Sequence, residues 1–120
     1  MSWPFETVTA TIANGASLSG AVDVGGVQLG GRVIVAIITP AAWTTAALTF
    51  QASDDGATFR NVYDEYGTEY TVQAAVDRHI LIDAARFAGC RSLKVRSGTS
   101  GSAVNQGGDR SIGIVLREIT

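Results

Sequence analysis

Apolar and polar residues alternate along most of this chain with a period of two, the spacing of strands that bury one face. In "ETVTATI", residues 6–12, Val8, Ala10 and Ile12 fall on one side and Thr7, Thr9 and Thr11 on the other. "NG" at 14–15 marks a turn, and in "SLSGAVDV" Leu18, Val22 and Val24 again share a side. "RVIVAII", residues 32–38, is a continuous β-branched run and reads as a strand buried on both faces. "ALTFQAS" alternates Leu48, Phe50 and Ala52 inward, and "TFRNVY", "TEYTVQ", "HILI", "RSLKVRS" and "SIGIVLREI" supply further short strands. Only "DAARFAG", residues 83–89, has a helical pattern, with Asp83 placed to cap it and Gly89 to end it.

Many short strands separated by glycine-rich turns predict an all-β protein: an antiparallel β-sandwich, or jelly roll, of about eight short strands. With 120 residues the chain is expected to form one domain over 1–120. Two segments stand outside the alternation. Residues 1–5, "MSWPF", read as an N-terminal arm, and residues 97–109, "SGTSGSAVNQGGD", as a glycine-rich loop. Neither has an apolar periodicity to order it, so one or both are expected at contacts with another subunit.

Composition narrows the function classes. Net charge is −2 and the nine basic residues are scattered singly, so no basic run tracks a phosphate backbone and nucleic acid is not an expected partner. Cys90 is alone, which removes any intramolecular disulfide and suits assembly in a reducing cytoplasm. The first ten residues have neither a basic nor an apolar signal-peptide region, and "VIVAII" is far short of the roughly 20 residues of a membrane helix. No membrane partner is expected.

The chemistry-bearing stretch is "SDDGATFRNVYDEYG", residues 53–67. Asp54, Asp55, Asp64, Glu65 and Glu69 could offer oxygens to calcium, but the D-x-D-x-D-G spacing of a calcium loop is absent. "SDDG" reads instead as a hairpin turn with Gly56 at positive φ. His79 and Cys90 are the only soft or imidazole ligands, too few for zinc. Asp64 and Glu65 are adjacent and would point to opposite faces of a strand, and no nucleophile elbow or phosphate loop occurs. The expectation is no catalytic residue, no metal and no cofactor. Aromatic residues are the candidate contacts: Trp3 and Phe5 in the arm, Trp43 in the Pro40 loop, and Tyr63 and Tyr66 flanking "DE". For Trp43, capping the end of the core together with Phe59 is an equal alternative.

"ALTFQASDDGATFRNVYDEYG" followed by "DAARFAGCRSLKVRSG" is similar to the strand pattern of discoidin-like (galactose-binding-like) jelly rolls. From "TATIANGASLSGAVDVGG" to the C-terminus, the chain more closely resembles small β-sandwich virion proteins of tailed bacteriophages and gene transfer agents. Trp43, Ser53, Asp54, Gly56, Phe59, Arg86, Phe87, Gly89, Val95 and Arg96 sit where that pattern places them. The resemblance implies a non-enzymatic homo-oligomeric particle component, located in the virion and assembled in the host cytoplasm. Its partners would be the major capsid protein or other virion proteins. A capsid decoration (cement) protein is the first expectation; a head-spike or tail-fibre module binding host glycans is the alternative. Extracellular discoidin modules commonly carry a disulfide, which a single cysteine cannot form.

Overall fold

The computed structural model describes residues 5–25 and 32–118. The strands are β1 (Phe5–Ile12), β2 (Val22–Asp23), β3 (Arg32–Ile38), β4 (Leu48–Ser53), β5 (Arg60–Asn61), β6 (His79–Leu81), β7 (Ser92–Ser97) and β8 (Arg110–Glu118). They form two four-stranded antiparallel sheets, ordered β1-β8-β3-β6 and β2-β7-β4-β5. The chain folds back on itself, pairing β1 with β8, β2 with β7, β3 with β6 and β4 with β5. Alternation produces this sandwich directly: Ala10, Ile12, Ile112, Ile114 and Leu116 of one sheet meet Leu48, Phe50, Leu93 and Val95 of the other in one core.

The period-two reading holds for β1 and β4, whose apolar positions are those turned inward. It overstates β3. Ile34, Ala36 and Ile37 are buried, but Val33, Val35 and Ile38 are only half-buried, because one face of this sheet is open. A register shift against β8 between Ile34 and Ala36 breaks the alternation there, as a β-bulge does. "SLSGAVDV" contributes only the two residues of β2 and a bridge from Leu18 to Arg96. "TFRNVY" and "TEYTVQ" yield two-residue β5 and the bridges Tyr63 to Glu69 and Leu48 to Val72.

Among the described residues the one helical element is a single 3-10 turn, Ala84–Phe87. The Asp83 carboxylate accepts from Ala85 N at its start, and Phe87 packs beneath it. Phe50, Tyr70 and Phe87 form an aromatic cluster, Phe87 meeting each of the other two rings edge-on.

Of the two segments set apart by their composition, only the glycine-rich loop lies wholly among the described residues. Residues 1–4 lie outside the described residues, Trp3 among them. Phe5 is the first residue of β1 rather than arm, paired with Arg117. The glycine-rich loop is ordered by its own domain. Gly98 N donates to Ala47 O at 2.8 Å, Val104 N to Ser97 O at 2.9 Å and Gln106 N to Ala16 O at 2.9 Å. Gly98 sits at φ +91°, and a Cβ there would come within 2.5 Å of Ser102 O, so this turn admits no side chain. The loop therefore gives no motive of its own for burial at a subunit contact.

Candidate functional site

The acidic stretch is two turns. Ser53 Oγ accepts from Gly56 N at 2.9 Å and donates to Asp55 Oδ1 at 2.8 Å. The same Asp55 oxygen accepts from Ala57 N at 2.8 Å and Thr58 N at 2.9 Å. Those bonds, Thr58 foremost, then Ala57 and the Ser53 hydroxyl, hold the Asp55 carboxyl well below the usual carboxylate range. Gly56, at φ +79°, closes the turn. Asp64 repeats the device: its Oδ1 accepts from Tyr66 N at 2.9 Å and Thr68 N at 3.0 Å, with Gly67 at φ +84°. Carboxylates occupied by backbone N–H groups in this way shape loops. Among the described residues, no three His, Cys, Asp or Glu side chains come together as a metal group.

Glu69 has a different task. It meets Arg96, on β7, in a salt bridge of 3.4 Å between largely buried side chains, and accepts from Ser100 N at 3.2 Å. Arg96 also donates to Asn61 Oδ1 at 2.7 Å and Thr49 Oγ1 at 3.3 Å. The network pins both the 62–72 hairpin and the 99–102 turn onto the outer face of β4 and β7. Nothing in the spacing of Glu69 and Arg96 announces this pairing, since only the strand register brings them together.

The structure divides the candidate aromatic contacts. Trp43 is buried at 8% exposure, packs in the core and donates its indole N–H to Ala46 O at 3.1 Å. Trp43 thus belongs to the core, whereas Phe59, paired with it in the capping reading, is not among the core residues. Phe59 lies half-buried beneath the Lys94 ammonium, 4.5 Å from its ring centre. Tyr63 and Tyr66 are exposed, at 52% and 86%, on the hairpin that Asp64 shapes. Phe5 is exposed at 51%, with the Arg117 guanidinium 5.6 Å from its ring centre.

Beside Tyr63 runs a shallow groove of about 280 Å³, lined by Arg60, Asn61, Arg86, Phe87 and Cys90. The Cys90 thiol donates to Phe87 O at 3.2 Å, and burial pushes its pKa up to about 11, so it is a neutral thiol at physiological pH. A second shallow cleft, about 520 Å³, lies between Val33 and Val35 of β3, the 3-10 turn and Arg117. His79 sits exposed on the short edge strand β6. On the outer face around it, Leu81 is 81% exposed opposite Ala36, and Val115 and Ile38 are half-buried. An antiparallel sheet normally turns polar residues to this side.

No family model, characterised protein or solved structure matches the chain. Among the described residues no helix is long and apolar enough to cross a membrane.

Proposed function

We propose that this chain is a non-enzymatic structural protein of a tailed-phage-like particle, a jelly-roll decoration (cement) protein bound in many copies to the head. The observation that carries the reading is the strand pairing. The first strand pairs with the last and each inner pair follows, in sheets β1-β8-β3-β6 and β2-β7-β4-β5, and this order supports reading the sandwich as a double Greek-key jelly roll. That architecture serves viral capsid and lectin domains alike. The open apolar face around Leu81, the exposed Phe5 and the use of the acidic side chains in turns support a contact role over chemistry. Major capsid protein or another virion protein is the partner this reading names, and the virion is the location.

The test is cryo-electron microscopy of intact particles from the source that encodes the chain. Density fitting this sandwich at regular head positions is expected. Particles that lack the chain, while the chain accumulates in the particle-free fraction, would overturn the proposal.

A second reading, a glycan-contacting head-spike or fibre module, is favoured by exposed Tyr63 in the wall of the Arg60–Arg86 groove and by Tyr66, exposed on the same hairpin. Tyrosine faces stack on sugars, and the two arginines offer donors to hydroxyl or carboxyl groups. Binding on a glycan array that is lost on Tyr66→Ala would favour this reading.

A further inference from the structure

The edge of a sheet is a row of unpaired N–H and C=O groups, and native sandwiches shorten, charge or cover it. Three of the four edges here are short: β2 and β5 have two residues each and β6 has three. The fourth, β1, has eight. Among the described residues, no backbone group bonds to β1 on the side away from β8. From Phe5 to Ile12 there is no proline, glycine or lysine, and Glu6 is the one charge. Thr7, Thr9 and Thr11, β-branched and exposed, line its outer face. Glu6, ion-paired with Arg32 at the start of the strand, is the one protection; from Thr7 to Ile12 the edge carries none of the usual ones.

We propose that β1 pairs antiparallel with β1 of a second copy of this chain, with Thr9 on the two-fold axis, joining two four-stranded sheets into one. This deepens the many-copy reading given above, yet the pairing is a property of the isolated chain and stands or falls without a particle. Three constraints set the register. Outer face must continue into outer face, so odd-numbered residues oppose odd ones. The full strand must be used, which places the axis near its middle. Charges must not collide: with Thr9 on the axis the two Glu6 residues lie six positions apart, about 20 Å at roughly 3.4 Å per residue.

That register also leaves Glu6 undisturbed. Glu6 keeps its ion pair with Arg32 of its own copy and opposes the apolar Ile12 of the second copy, so no like charge meets it across the seam. Phe5 opposes Ala13 of the second copy, a small residue that leaves room for the ring. Thr7 opposes Thr11 twice. Such an interface is isologous and closes at two copies.

The register makes a charge-swap test possible. The full chain should run as a dimer in sedimentation velocity at tens of micromolar, the usual range for such measurements of moderate affinity. Thr7→Glu with Thr11→Glu opposes carboxylate to carboxylate at both ends and should weaken the dimer about tenfold or more. Thr7→Lys with Thr11→Glu opposes ammonium to carboxylate at the same places and should keep it. Both positions are exposed, so circular dichroism melts of the two variants should match each other. A monomeric native chain would overturn the proposal, whatever other partner takes the edge. So would a dimer that responds alike to both double variants, since a different interface or register would then hold it.

Discussion

Glu69 and Arg96 stand 27 residues apart in the chain and 3.4 Å apart in the fold, where their ion pair fastens the tyrosine hairpin to β7. The two side chains retain 14% and 9% of their exposure, so the pair is shielded from solvent. Removing one partner of such a pair orphans the other, which costs roughly 3–5 kcal/mol when no further bonds remain. Arg96 keeps Asn61 and Thr49 as acceptors. Glu69→Ala should therefore cost about 2–3 kcal/mol, below that full range. Glu69→Gln retains an acceptor for Ser100 N and should cost about 1 kcal/mol. Urea unfolding checks both values. If the alanine variant melts like the native chain, the pair is not a fastening.

Gln106 carries the equivalent load for the glycine-rich loop. Its amide nitrogen donates to Ser97 Oγ at 2.7 Å and Thr44 O at 2.9 Å, and its oxygen accepts from Thr44 N at 2.8 Å and Arg110 Nε at 3.1 Å. At 1% exposure the Gln106 side chain is shut off from solvent in the folded chain. Truncation to alanine takes the shared acceptor from half-buried Thr44 N and Arg110 Nε, at roughly 1–3 kcal/mol for each group left unsatisfied. Gln106→Ala should lose about 2–4 kcal/mol on that basis, with faster amide exchange across 98–108. Unchanged exchange there would show that the backbone bonds alone hold the loop.

How legible this was in the sequence depends on whether the signal was local. The β1 and β4 alternations are local, and so is the Asp83 cap on "AARF"; each could be read from the residues in order. The fate of Trp43 is not local. A tryptophan in a proline-containing loop is an exposed contact or a core cap according to what passes beneath it, here the core strands. Gln106 was hidden for the same reason. An amide amid glycines reads as solvated loop, and only the approach of Thr44 and Ser97 gives it a site. The edge character of β1 likewise emerges from sheet order, although its Thr-rich outer face is plain in "TVTAT".

The Asp55 turn should leave a mark on the acid side of the stability profile. Its carboxyl is held below the usual range in the folded chain, so the folded state binds the proton less readily than the unfolded one. The stability this lends is present above the unfolded carboxylate pKa, near 3.8, and falls away as pH drops from there through the lower folded value. Asp55→Asn cannot titrate. The gap in melting temperature between native and Asp55→Asn proteins should thus be constant near neutral pH and narrow progressively below about pH 4. A gap independent of pH down to the most acidic folded condition would show that the ionised form is not what the turn selects.

Trp43 and Tyr66 supply the sharpest contrast between a residue that holds the fold and one free to serve a partner. Trp43 is buried in the core cluster and satisfies its indole N–H on Ala46 O. Trp43→Ala removes a large buried ring and leaves a void, a change that costs roughly 3–5 kcal/mol in well-packed cores. Tyr66 is 86% exposed, and Tyr66→Ala should move stability by less than about 0.5 kcal/mol. The consequence for any binding assay is direct. Loss of glycan or particle binding in Trp43→Ala reports damage to the fold, whereas the same loss in Tyr66→Ala, with an unchanged melting curve, reports contact. Thermal melts of both variants, run beside the glycan array and a particle-binding assay, separate the cases. If Tyr66→Ala and Tyr63→Ala both melt normally and bind both targets as the native chain does, the hairpin is not the contact. The open face around Leu81 and the β1 edge would then remain as the surfaces to test for the proposed contacts.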